Sequence, residues 1–88
     1  MIERTFTVQN KMGLHARPAA MLVQTLQKFD SQVRLRKDDQ EVDGKSIMGI
    51  LTLTAEYGSA LTVVAEGFDE QGVIDALDRF FTQQAHEE

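Results

Sequence analysis

The sequence predicts an α+β domain, one four-stranded sheet with helices packed on one face. Apolar residues alternate with polar ones near 2–8, 32–37 and 61–65, the pattern of half-buried strands. Apolar residues also recur at helical spacing over 16–28 and after Asp69. Asp38-Asp39 separates two short runs as a hairpin turn would. The 88 residues are read as a single domain, 1–88, with a modest core.

The elements follow in order. In IERTFTV, Ile2, Phe6 and Val8 share one face, with Arg4 as a flaw in the alternation. NKMG at 10–13 is a loop. Ala19, Leu22, Val23, Leu26 and Phe29 define the first helix, expected over 16–28. Pro18 is tolerable there because the first turn has no internal acceptor for its missing N–H. QVRLRK at 32–37 turns Val33 and Leu35 inward, and Gln40 to Asp43 return around Val42. Residues 46–53 fit either a short helix or a strand. Ser46 after Gly44 is a good N-cap and favours the helix. Tyr57-Gly58-Ser59 is a turn. Leu61, Val63 and Ala65 form an interior strand, since Val64 is apolar too. Asp69 caps a last helix carrying Val73, Ile74, Leu77, Phe80 and Phe81, and the QQAHEE tail is expected to fray. The order is β-α-β-β-α-β-α.

Composition narrows the function. There is no cysteine, which excludes disulfides and thiolate metal sites. The two histidines are far apart and His86 lies in the polar tail, so no metal site or cofactor is expected. No basic start followed by an apolar run opens the chain, and no stretch nears the roughly 18 apolar residues of a membrane span. A cytoplasmic location without membrane insertion is expected.

The net charge of −5 argues against nucleic acid as a partner. One Tyr and five mostly core-patterned Phe also leave little for stacking on bases. Charge is unevenly spread. Residues 11–36 hold Lys11, Arg17, Lys28, Arg34 and Arg36 against Asp30 alone, while 66–88 hold seven acids against Arg79. An anion or an acidic partner would meet the basic segment.

That segment contains GLHARPA at 13–19. The usual helix caps are Ser, Thr, Asp and Asn, yet here the helix opens on His15. With His15 at the N-cap, the N–H groups of Ala16 and Arg17 are left without internal acceptors and favour an anion. Arg17 adds a guanidinium fork suited to phosphate oxygens. Gly13 gives the backbone freedom before the histidine and leaves approach to the imidazole open. Neutral imidazole is nucleophilic, and the same donors would stabilise a phosphoryl group placed on it. A histidine near a helix start is more often a surface residue without chemistry. On the residues alone the two readings stand about even.

GLHARPAA at 13–20 resembles the active-site motif of the HPr family, histidine-containing phosphocarriers of the bacterial phosphoenolpyruvate-dependent phosphotransferase system. GKSIMGIL at 44–51 is similar to the family's block around its regulatory serine. The resemblance covers essentially the whole chain. It implies an open-faced β-sandwich, an antiparallel sheet in order 1-4-2-3 with three helices on one face. It implies a carrier rather than an enzyme. His15 would accept phosphoryl on Nδ1 from enzyme I and pass it to the A domains of sugar permeases, with Arg17 steadying the group. Ser46 would be phosphorylated for regulation, which would bring in a serine kinase/phosphorylase and a transcriptional regulator. Ala20, Gln24, Ile47, Met48 and Leu51 would form an apolar docking patch around His15 on a monomeric protein. Gln24 and Gln27 stand where some members carry lysines.

GKS at 44–46 is not a Walker A loop, because the first glycine of that motif would fall on Asp39. Two alternatives remain in the sequence, a nitrogen-branch phosphocarrier and a mainly regulatory module controlled at Ser46.

Overall fold

In a computed structural model, residues 1–83 are described. The seven elements are β1 (Ile2–Thr7), α1 (Ala16–Leu26), β2 (Gln32–Lys37), β3 (Gln40–Asp43), α2 (Ile47–Thr52), β4 (Ala60–Glu66) and α3 (Glu70–Thr82). The four strands form one antiparallel sheet in the order β1-β4-β2-β3. The expected element order and sheet order are both present. The fraying expected of the tail lies, for 84–88 and His86, outside the described residues. No helix among the described residues is long and apolar enough to cross a membrane.

Register puts the apolar residues of neighbouring strands in line. Phe6 faces Leu61, Leu35 faces Val63, and Val33 faces Ala65. All six are buried, in one cluster with Leu22 and Leu26 of α1, Ile50 of α2, and Ile74, Leu77, Phe80 and Phe81 of α3. The sheet therefore has one covered face. Phe6 stacks on Phe81 with ring centroids 5.3 Å apart, tying edge strand β1 to α3. Arg4 would break the alternation, but β1 lies at the sheet's edge. Its guanidinium lies over Phe6, 5.6 Å from the ring centre, and reaches Asp78 at 3.7 Å. Thr5 and Thr62 share a hydroxyl hydrogen bond of 3.0 Å.

Three details differ from expectation. Helix α1 stops at Leu26, two residues early. There the bonds tighten, with Lys28 N–H donating to Thr25 and Phe29 N–H to Leu26. Phe29 leaves the helix to pack against the core. The alternation of β1 outlasts the strand. Val8 is fully buried and donates its N–H to Ser59.

The third difference concerns Asp69. It occupies the N-cap position of α3, but its side chain does not cap that helix. Its carboxylate instead crosses to the α1–β2 connection, accepting the N–H groups of Asp30 and Ser31 at 2.9 Å and the Ser31 hydroxyl. The Ser31 hydroxyl, then the Asp30 N–H, hold its carboxyl below the usual carboxylate range. Glu70 serves the helix start, accepting the Gly67 N–H at 3.1 Å.

Candidate functional site

The site begins with a turn that only glycine fits. Gly13 has φ +75°, and a Cβ there would lie 2.5 Å from the carbonyl oxygen of Ala55. That oxygen accepts the N–H of Leu14 at 2.8 Å, while Gly13 donates to Asn10 at 2.9 Å. Leu14 is buried in the core cluster. The backbone is thus pinned on both sides just before His15. The expected need for glycine's backbone freedom is present, and the missing Cβ also makes room for the Ala55 carbonyl.

His15 is the N-cap of α1, with extended backbone at φ −80°, ψ −169°, and makes no side-chain capping hydrogen bond. Its carbonyl accepts the Ala19 N–H at 3.0 Å, the first bond of the helix. A capping oxygen would take its hydrogen bond from the second or third helical residue. The third is Pro18, which has no N–H. The first-turn donors without an intrahelical acceptor are therefore Ala16 and Arg17. Pro18 and Ala19 are buried, which fixes the first turn against the core.

Among the described residues, His15 borders two hollows. One, of about 280 Å³, is lined by Lys11, Met12, His15 and Arg17. The other, of about 220 Å³, is lined by Met12, Leu14, His15, Leu51, Thr54, Ala55 and Glu56. Among the described residues, the side chains that line the first beside the imidazole are cationic or apolar. It can receive a small anion and hold it against the ring and the helix start. A larger hollow of about 400 Å³ lies elsewhere, with Ser31, Arg34, Glu41 and Lys45 in its lining. Its cations are engaged, Arg34 with Glu41 and Lys45 with the Phe29 carbonyl, and it contains no nucleophilic histidine.

The expected site residues separate into groups. His15 and Arg17 share the basic hollow, and Leu51 lines the apolar one. Leu51 is half-buried and packs on the core, so it presents only part of its side chain for docking. Ile47 is 41% exposed and Met48 is 71% exposed on α2, which packs beside α1. Ala20 and Gln24 follow Ala16 at four-residue spacing on α1, half-exposed and exposed. Ser46 lines neither hollow. It is the N-cap of α2, and its Oγ accepts the Gly49 N–H at 3.0 Å.

Sequence reasoning left out Lys11, Met12 and Glu56 as site residues. Met12 is 80% exposed and lines both hollows. An apolar residue in a loop with no strand partner was the available signal for it. Glu56 gave none, since only folding brings 54–56 beside His15. Among the described residues no group of His, Asp and Glu stands close enough to hold a metal ion.

Comparison with known proteins fixes the family. The family model described as the phosphotransferase-system HPr component phosphorylation site matches residues 2–83. The chain belongs to the HPr family. It is 43% identical to the phosphocarrier protein HPr of Treponema pallidum over 88 residues, the full length of both. An HPr crystal structure from Thermoanaerobacter tengcongensis superposes with a TM-score of 0.94 at 46% identity, covering 100% of this chain and 99% of that one. Crh, the Bacillus subtilis catabolite repression HPr, gives a TM-score of 0.67 at 39% identity over 93% of this chain and 98% of that one. HPr proteins are phosphocarriers of the phosphotransferase system, so the basic hollow beside His15 stands in a protein of phosphoryl-carrying descent.

Proposed function

We propose that His15 is the phosphoryl acceptor of this chain, charged by phosphorylated enzyme I and discharged to the A domain of a sugar permease. The neutral imidazole attacks phosphorus through Nδ1, forming the new P–N bond. The donor's bond to phosphorus breaks and its electron pair returns to the donor. The same exchange runs in reverse order towards the permease domain. The Arg17 guanidinium and the N–H groups of Ala16 and Arg17 hold the phosphoryl oxygens. The single observation that carries this is that the N-cap of α1 is His15, in a hollow lined by Lys11 and Arg17.

Docking falls to the apolar surface beside it, made of Ala20, Gln24, Ile47, Met48 and the exposed part of Leu51. Exposed methionine adapts to more than one partner, which suits a carrier that meets a donor and then an acceptor. The contacts are small, because each partner must release the carrier.

Ser46 is the regulatory site in this proposal. Phosphorylation would place a dianion at the start of α2, on the element that carries Ile47 and Met48. It would weaken docking of enzyme I by charge. The likeness to Crh supports a second reading, in which the Ser46-modified form also binds a regulator.

A reconstituted relay tests the proposal. Phosphoenolpyruvate, enzyme I and a purified permease A domain are mixed with or without this protein. The A domain should gain phosphoryl only when the wild-type chain is present, not with His15→Ala. Equal labelling with His15→Ala would overturn the assignment.

A further inference from the structure

Most basic side chains of the chain are engaged. Arg4 meets Asp78 at 3.7 Å, Arg34 meets Glu41 at 3.4 Å and Arg36 meets Glu3 at 3.4 Å. Lys37 donates to the carbonyls of Leu53 and Thr54, and Lys45 to that of Phe29. Among the described residues, the charged ends of Lys11 and Arg17 meet no carboxylate or carbonyl, and both line the same hollow beside His15. Lys28 and Arg79 also lack such a partner, but neither lines that hollow. Glu56 lines the second hollow and not this one.

Two cations on one hollow, with no acid paired to either among the described residues, repel each other until an anion joins them. Lysine adds a compact charge on a flexible stem, able to follow a group that arrives and leaves. Resting on the phosphocarrier reading above, we propose that Lys11 is a second cation of the phosphoryl site. Its ammonium binds the phosphoryl oxygens on His15 together with Arg17 and shifts the transfer equilibrium towards the charged carrier. Arg17 sits on the rigid helix and fixes the group. Lys11 sits in the preceding loop and acts mainly through charge.

The test compares wild type, Lys11→Gln and Lys11→Arg. Two quantities are read, the equilibrium constant for phosphoryl exchange with enzyme I and the ³¹P NMR titration midpoint of the phosphoryl group. Lys11→Gln should lower the equilibrium constant about three- to tenfold, the size of a screened ammonium–dianion attraction near water. Its phosphoryl midpoint should move upward, because the dianion loses a favourable neighbour. Lys11→Arg should restore both, and the differences should shrink as salt is raised. An unchanged equilibrium and midpoint in Lys11→Gln would overturn the inference, even if encounter with enzyme I became slower. A wild-type chain that accepts no phosphoryl would overturn the phosphocarrier reading itself, and this inference with it.

Discussion

The absent side chain of Gly13 and the carbonyl of Ala55 occupy the same space. A Cβ on Gly13 would stand 2.5 Å from that oxygen, which already accepts the Leu14 N–H at 2.8 Å. The loop before His15 is thereby fastened to the segment that forms the second wall of the site. Gly13→Ala must both adopt a left-handed backbone and push this carbonyl away. It should cost about 1–3 kcal/mol, measured by urea denaturation. Acceptance of phosphoryl by the folded fraction should also slow. A variant as stable as wild type would show that the fastening does not matter.

Ser46 separates stability from docking. Removing its oxygen in Ser46→Ala takes away the bond from Gly49 N–H and should cost about 1 kcal/mol. Aspartate also caps helices, so Ser46→Asp should keep most of the stability while adding negative charge. Enzyme I should phosphorylate Ser46→Asp more slowly than Ser46→Ala, despite the greater stability of the former. The check is a denaturation curve beside a phosphorylation time course for each variant. Equal rates for the two would remove charge as the means of control.

Asp69 makes the fold sensitive to acid. Its carboxyl lies below the ordinary range because the Ser31 hydroxyl and the Asp30 N–H bind the ionised form. Glu70 is lowered too, first by the Gly67 N–H. Both groups have folded values below their unfolded ones. Their contribution is complete above the ordinary carboxylate range and is lost as pH falls through the depressed values. Asp69→Asn should lower stability at neutral pH and flatten its decline on acidification, read from melting temperature against pH. An unaltered acid limb would show that other carboxylates control it.

Thr54 holds φ at 51°, a conformation unfavourable for a β-branched residue. Its carbonyl is held by Lys37 Nζ at 3.0 Å, and Thr54 lines the hollow next to His15. Thr54→Gly removes the strain but loosens the unfolded chain, so the net gain should be about 1 kcal/mol or less. A loss of stability would mean that the Thr54 side chain makes favourable contacts that outweigh its backbone.

What could be read from the sequence was set by local periodicity. Ile2, Phe6 and Val8, the alternation around Val33 and Leu35, and the spacing of Val73, Leu77 and Phe80 each place their own element. His15 was visible because a cap is a local matter, and Pro18 lies within the same turn. The rest depends on residues distant in the chain. Asp69 looked like an ordinary cap, and only its proximity to Ser31, 38 residues away, diverts the carboxylate. Arg4 broke the alternation until the sheet order placed β1 at an edge beside Asp78. Met12 could be counted as apolar, yet the second hollow it lines is walled by 51–56, far from it in the chain.

The central claim is that His15 carries the phosphoryl group. The most direct measurement is the intact mass of the protein after mixing with enzyme I and phosphoenolpyruvate, with His15→Ala in parallel. A single phosphoryl gain in the wild type, lost on brief acid treatment and absent from His15→Ala, is the expected result. The same gain in His15→Ala, or none in wild type with enzyme I active on another carrier and a nitrogen-branch enzyme I also tried, would contradict it.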